Sequence, residues 1–337
     1  MKQASFYEKR EDGKVYCFLC RQHCIIAPGK RGLCGVRENR DGTLYTLVYE
    51  MPCATHVDPI EKKPLFHFFP GSRAFSIATA GCNFHCLHCQ NHDISQIPPQ
   101  ACVVSGEKMT ADEVVVSASH AGCKSISYTY TEPTIFYEYA FDIAQLAREK
   151  GIYNNFVTNG YIEDEPLRAI KPYLDAANID LKGFDESFYK KICKAELSKV
   201  LDTIRTYRKL DIWIELTTLI IPGYNDKEEA LRAIARFIMD ELGPQVPWHV
   251  SAFYPTYKLL DAKRTSPETL KRARELGLEA GLRYVYEGNI PGSDGEHTYC
   301  YNCKKAVIKR YGYGILEYNI KGSSCVYCGA TIDGIGL

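Results

Sequence analysis

From residue 71 to about 290, short apolar and β-branched runs alternate with stretches in which apolar residues recur every three or four positions. Short apolar runs fit strands, and the longer spacing fits amphipathic helices. Strands are therefore predicted at 75–80, 125–129, 152–157, 177–180, 212–219, 249–252 and 284–286, with helices between most of them. Two helix starts carry their own signals. Thr110-Ala111-Asp112-Glu113 is a capping box, and Ser266-Pro267-Glu268 sets a cap before a proline. Strand–helix alternation builds a parallel sheet through right-handed crossovers. Six or so repeats are too few for a closed eight-fold barrel, so the expected fold is α/β, a partial (β/α)6 TIM-like barrel. Chemistry in such sheets gathers at the C-terminal strand ends.

Cysteine usage divides the rest of the chain. Residues 1–70 form a Cys-rich N-terminal metal-binding region, 71–290 the barrel, and 296–337 a small Cys/Gly/Tyr tail. Fifteen cysteines clustered at short spacings read as metal ligation in a reducing compartment rather than as disulfides. The lone Cys102, Cys123 and Cys193 read as buried thiols. Lys plus Arg and Asp plus Glu both number 41, so charge gives no argument for nucleic acid or an anionic membrane. No stretch approaches the roughly 18 apolar residues of a membrane span, and the Met-Lys-Gln-Ala-Ser start lacks a signal-peptide core. A cytoplasmic protein is expected.

The most specific pattern is Gly81-Cys82-Asn83-Phe84-His85-Cys86-Leu87-His88-Cys89, directly after the first predicted strand. Its C-x3-C-x2-C spacing offers three soft thiolates to one centre and withholds the fourth ligand of a cubane. One iron of a [4Fe–4S] cluster held by Cys82, Cys86 and Cys89 is then open to a small molecule. Half a zinc site, or three core thiols, is the alternative, but Asn83, His85 and His88 make the loop too polar for a core segment.

This spacing resembles the signature of the radical S-adenosylmethionine (SAM) superfamily, whose members chelate SAM at the open iron. The second strand leads into Tyr128-Thr129-Tyr130-Thr131-Glu132-Pro133, where that superfamily usually carries Gly-Gly-Glu-Pro. Tyr130 and Thr131 replace the glycines, and Glu132 with nearby carbonyls is assigned to the SAM ammonium. Val157-Thr158-Asn159-Gly160 ends the third strand. In Asn178-Ile179-Asp180-Leu181-Lys182 alternation sends Asp180 and Lys182 to one side, suited to the ribose and carboxylate of SAM, or to an ordinary salt bridge. Ile220-Ile221 could wall the adenine, and Phe253-Tyr254-Pro255-Thr256-Tyr257-Lys258 could face the substrate, with core packing as the alternative for Phe253.

Together these residues resemble glycyl-radical-enzyme (pyruvate formate-lyase) activating enzymes, and more closely the radical SAM member of the AmmeMemoRadiSam system. The closer resemblance spans nearly the whole chain. It includes Cys17-x2-Cys20-x3-Cys24, the run Gly32-Leu33-Cys34-Gly35-Val36-Arg37-Glu38-Asn39, and His56-Val57-Asp58-Pro59-Ile60-Glu61-Lys62-Lys63-Pro64. It implies SAM contacts at Glu132, Thr158, Asp180 and Lys182, with Tyr130, Thr131 and Asn159 in the same pocket. It also implies an external reductant such as ferredoxin or flavodoxin and AMMECR-like and Memo-like companions, and it favours a glycyl residue of a partner protein or another peptidyl site as substrate over a small molecule. The chain departs from the activating enzymes at Val157, where some have an Asp that helps hold a monovalent cation.

Cys300-x2-Cys303 and Cys325-x2-Cys328 form the paired knuckles of a zinc-ribbon-like module, with iron in a rubredoxin-like site as the rival. Cys17, Cys20, Cys24 and Cys34 suit either a second iron–sulfur cluster acting as a relay or another zinc, with a slight lean to zinc or a structural role. Cys53 could replace one of them. The expected activity is reductive cleavage of SAM to a 5′-deoxyadenosyl radical that abstracts hydrogen. The rival is a non-catalytic iron–sulfur and zinc protein that carries electrons or docks a partner. Glu132 and Lys182 argue against it, because electron transfer needs no SAM pocket.

Overall fold

The computed structural model describes residues 1–97 and 105–337, so Cys102 lies outside the described residues. Its centre is an eight-stranded sheet with strands in sequence order: β1 (Pro52–Pro59), β2 (Arg73–Thr79), β3 (Ser125–Tyr128), β4 (Tyr153–Thr158), β5 (Ala176–Asp180), β6 (Trp213–Ile220), β7 (Trp248–Ala252) and β8 (Val285–Gly288). Strands β2 to β8 are parallel throughout, as alternation with helices requires. The longer helices are α1 (Ala111–His120), α2 (Tyr137–Glu149), α3 (Asp164–Ile170), α4 (Leu197–Lys209), α5 (Glu228–Phe237) and α6 (Pro267–Glu279). α1 starts at the capping box read from the sequence, with the Thr110 and Glu113 side chains each bonding the other's backbone amide. Ser266 caps α6 ahead of Pro267.

β1 was not anticipated. It runs antiparallel to β2 at the sheet edge, and most of its residues are at least partly exposed, so it carries no apolar alternation. Prolines at both its ends are tolerated because an edge strand need not donate from every amide. The last part of the 1–70 region therefore belongs to the central sheet. The rest of that region folds as two small antiparallel sheets, whose Val15, Leu19 and Val36 join the same apolar core as Phe75, Ile77 and Phe84.

One face of the sheet packs apolar residues such as Phe75, Ile77, Ile126, Phe156 and Ile179 against helices. The other is polar yet buried. Ser76, Ser127, Asn155, Asn178 and Thr217 lie along it, with Ser127 donating to Asn155 (2.7 Å) and Thr217 to Asn178 (3.0 Å). The chain segment after β1 crosses this face and takes up its free groups. Asn178 Nδ2 donates to the Pro64 carbonyl (2.8 Å), and Glu215 accepts the backbone amides of Phe66 and His67 (3.0 and 2.8 Å).

The tail contributes a three-stranded sheet and a short hairpin, and its Cys300, Val307, Ile308 and Ile332 share a cluster with Phe66, Tyr284 and Tyr286 of the main body. Arg310 is wholly buried against the Phe66 ring, donating to the Phe66 carbonyl (3.0 Å) and to Thr298 (2.8 Å). No helix among the described residues is long and apolar enough to cross a membrane.

Candidate active site and metal centres

The Cys82–Cys89 loop leaves the C-terminal end of β2, where parallel-sheet topology puts chemistry. Gly81 turns the chain into it at φ 100°, a conformation that favours glycine. The loop is pinned from two sides: His85 N and Leu87 N donate to the carbonyls of Cys193 and Ile192, and Lys258 N donates to the Leu87 carbonyl. The sulfurs receive donors of their own. Phe84 N lies 3.4 Å from Cys82 Sγ, Asn159 Nδ2 lies 3.9 Å from it, and Cys89 Sγ lies 3.0 Å from Ser95 Oγ. Hydrogen bonds to ligating sulfur set cluster potential, so these contacts suit a redox centre. Three buried polar atoms of this neighbourhood, Thr79 Oγ1, Asn83 Nδ2 and His88 Nδ1, have no partner in the protein. Thiols, sulfur donors and unsatisfied polar atoms together fit a bound iron–sulfur cluster.

The expected site residues gather on either side of this loop. Glu132 is buried and takes four hydrogen bonds, from Thr134 N (3.1 Å), Thr134 Oγ1 (2.6 Å), Thr158 Oγ1 (2.8 Å) and Asn159 N (2.8 Å). A carboxylate has about four acceptor positions, so these four donors fill it. Burial raises the Glu132 pKa, and those donors oppose the rise. Asn159 completes the link, donating from Nδ2 to Asn83 Oδ1 (2.7 Å) in the cysteine loop. On the other side Lys182 Nζ bonds Asp180 (2.6 Å), the pair that alternation placed together. Burial would lower the Lys182 pKa, yet Asp180 and the neighbouring thiols Cys86 and Cys193 drive it well above its ordinary value. A fixed cation therefore stands beside the cysteine loop.

The Tyr130 and Thr131 side chains are engaged within the protein. Tyr130 adopts φ 63°, its carbonyl accepts from Asn91 Nδ2 (2.7 Å), and its hydroxyl turns back to donate to Asp58. Thr131 Oγ1 donates to the Thr79 carbonyl (2.8 Å). Ile220, Ile221 and Phe253 are all core, with no exposed surface for adenine or substrate. Tyr254 and Lys258 remain at the rim, and Tyr257 stacks on His92 at 4.6 Å between ring centres.

Several participants were not foreseen. Asn225 ties the loops after β5 and β6, donating to the carbonyls of Lys182 (2.7 Å) and Leu219 (2.8 Å). Cys193, read as a buried thiol, is buried but touches Cys86. Lys63 is buried against Asp58 (2.6 Å) under the Tyr130 ring, and burial, opposed by Asp58, pushes its pKa down to about 8. For Asp58 and Lys63 the motif 56–64 gave a signal, but it lacked a partner until the fold brought Tyr130 over it.

Residues 76–235 match the radical SAM superfamily. The chain belongs to that superfamily. It is 50% identical over 335 residues, 99% of each chain, to the uncharacterized protein MJ0808 of Methanocaldococcus jannaschii. It is 24% identical over 232 residues to the pyruvate formate-lyase-activating enzyme of Clostridium pasteurianum, covering 65% of this chain and 93% of that one. A radical SAM methyltransferase from Sphaerobacter thermophilus shares the fold, with a TM-score of 0.51 at 15% identity over 68% of this chain and 71% of that chain. Membership brings with it a [4Fe–4S] cluster and SAM as the cofactors of the family.

The C-terminal knuckles form a separate centre. Cys300 and Cys328 sulfurs lie 3.6 Å apart and those of Cys303 and Cys325 3.8 Å apart, and all four fall within 4.8 Å of one another. Tetrahedral zinc at about 2.3 Å from each sulfur places them about 3.8 Å apart. Each knuckle closes on its first cysteine, Lys304 N bonding Cys300 O (2.9 Å) and Gly329 N bonding Cys325 O (2.8 Å), with both donors at positive φ. The Ala330 and Asn302 donors bring the Cys328 thiol down to about 6, favouring the thiolate a metal needs.

Proposed function

We propose that the protein cleaves SAM reductively and uses the resulting radical to abstract hydrogen from a polypeptide partner. The observation that carries this reading is the convergence, around one three-cysteine loop, of the Glu132–Thr158–Asn159 cluster on one side and Asp180–Lys182 on the other. When bound at Cys82, Cys86 and Cys89, the cluster supplies the low-potential electron that splits SAM into methionine and a 5′-deoxyadenosyl radical. The chain's own part is orientation and exclusion of water. Lys182 provides the positive charge for the SAM carboxylate, Asp180 the acceptor for the ribose, and the 130–132 carbonyls and Glu132 the acceptors for the ammonium. Asn159 couples the Glu132 pocket to the Cys82 sulfur.

An external ferredoxin- or flavodoxin-type carrier supplies the electron, and the open sheet is read as a partial barrel whose mouth admits the substrate. The likeness to an enzyme named for activating pyruvate formate-lyase supports a protein substrate, and the family resemblance keeps AMMECR-like and Memo-like proteins as companions. The tail, on this reading, holds one zinc and serves architecture, because a closed four-thiolate zinc site has neither an open position nor redox chemistry. Anaerobic incubation with dithionite and SAM, followed by chromatography, should yield 5′-deoxyadenosine, and the reduced cluster's EPR signal should change on adding SAM. A signal indifferent to SAM, with no 5′-deoxyadenosine, overturns the proposal.

A further inference from the structure

Cys17 and Cys24 pair across a hairpin, Cys20 lies in the loop that joins its strands and Cys34 in a later loop, yet the four line one cavity together with Arg37 and Asn83. Their sulfurs are not gathered within 4.8 Å as the C-terminal four are. One tetrahedral ion needs the closer spacing, whereas a cubane binds each cysteine through a different iron and holds the sulfurs farther apart. Two of the residues around the cavity carry buried polar atoms without a partner. Arg37 is 2% exposed, and although its terminal nitrogens reach Glu138 (3.1 Å) and the Ser5 carbonyl, its Nε is buried without a partner. Asn83 Nδ2 is buried and unpartnered as well.

The cavity also adjoins the active-site loop. Asn83, one of its walls, is the residue next to Cys82, and Gln22 Nε2 donates to the Asn83 carbonyl (2.7 Å). The Cys34 carbonyl packs so closely on Gly81 that a Cβ there would meet it at 2.7 Å. His85 Nε2 lies 3.1 Å from the Leu33 carbonyl.

We infer that Cys17, Cys20, Cys24 and Cys34 hold a second iron–sulfur cluster, closed by four thiolates and placed beside the Cys82 loop as its electron relay. The site stands on its own geometry, and the relay rests on the function proposed above. In the relay a low-potential one-electron protein carrier reduces the N-terminal cluster by one electron. That electron then passes to the Cys82 cluster, and the first returns to its oxidised level. No proton or group moves.

The test uses the full chain, reconstituted anaerobically with ferrous iron and sulfide in the presence of equimolar zinc. The triple variant Cys82→Ala, Cys86→Ala, Cys89→Ala should retain about four irons and four sulfides per chain and give a reduced EPR signal that SAM does not alter. Zinc or no metal at the N-terminal site in the folded triple variant overturns the inference, whatever the outcome for SAM cleavage. Wild type and Cys20→Ser provide a second reading that does not depend on the triple variant folding. Wild type should hold about eight irons and Cys20→Ser about half of them. Cys20→Ser should also form 5′-deoxyadenosine at least tenfold more slowly with a flavodoxin-type carrier, but within about twofold of wild type with dithionite. Unchanged iron overturns the site, and an unchanged rate with the protein carrier overturns the relay.

Discussion

The two ends of the chain each present four cysteines, and the fold treats them in opposite ways. The C-terminal four sit on two knuckles whose backbone turns bring the sulfurs to 3.6 and 3.8 Å, the edge of a single tetrahedral ion. They lie in a small module anchored to the main body by Phe66, Tyr284, Tyr286 and the buried Arg310. The N-terminal four line a cavity, and Cys34 and the nearby Leu33 and Gln22 touch the active-site loop. Identical ligands thus differ in spacing and address. On the proposed reading the tight quartet is a structural clasp, and the open one beside the Cys82 loop carries electrons.

The largest expected effect breaks the comparison at its C-terminal end. Cys300→Ser with Cys325→Ser should remove one zinc per chain while iron content stays constant, as measured by elemental analysis of the intact protein. Structural zinc contributes on the order of 10 kcal/mol in isolated fingers, so the module should lose its protection in hydrogen exchange. Loss of iron instead of zinc would make the two quartets alike.

Next in size is Gly81→Ala, which strikes the contact between the N-terminal quartet and the Cys82 loop. Overpacking against the Cys34 carbonyl and a left-handed backbone each cost about 1–3 kcal/mol. Urea unfolding should show their combined loss, and EPR should show a weakened response to SAM. An unaffected protein would mean the two regions are not in contact.

A pH titration sharpens the other side. In the network that docks the tail, His67 Nδ1 donates to the Asp333 carbonyl (2.5 Å) and Nε2 lies 2.5 Å from the Tyr286 hydroxyl, from which a neutral ring accepts. Burial, opposed by Glu215, pulls its pKa down to about 4 from the usual 6.5. A depressed folded-state pKa gives stability that is complete above 6.5 and is lost as pH falls through about 4, worth about 3 kcal/mol. Urea midpoints between pH 7.5 and 4.5 should fall more steeply for wild type than for His67→Asn. Parallel curves would remove His67 from the account.

The smallest effect concerns SAM itself. Lys182→Ala should weaken SAM binding by about 1.5–3 kcal/mol, the size of a hydrogen bond to a charged group, and leave iron content intact. Calorimetric titration under anaerobic conditions reads it directly. Unchanged affinity would move the carboxylate site away from Lys182. Glu132→Ala is a less clean probe, because it strands the Thr134, Thr158 and Asn159 donors and weakens the loop as well as the pocket.

Much of this protein was legible from local pattern. The seven parallel strands, both helix caps, the three-cysteine loop and the paired knuckles depend on residues close in sequence, where periodicity, capping and ligand spacing act directly. The same-side placement of Asp180 and Lys182 followed from strand alternation alone. Tertiary structure decided what depends on distant neighbours. β1 became a strand because β2 offered it an edge, despite a sequence without apolar alternation. Glu132 looked like a free acceptor until Thr158 and Asn159, from the next strand end, filled its lone pairs. Ile220 and Ile221 read as an adenine wall and Phe253 as pocket or core, and packing put all three in the core. The chain also specifies which residues can ligate a metal. How far apart four sulfurs stand, and what lies beside them, is fixed only when segments remote in sequence pack together, since ligand geometry is a property of space and not of spacing along the chain.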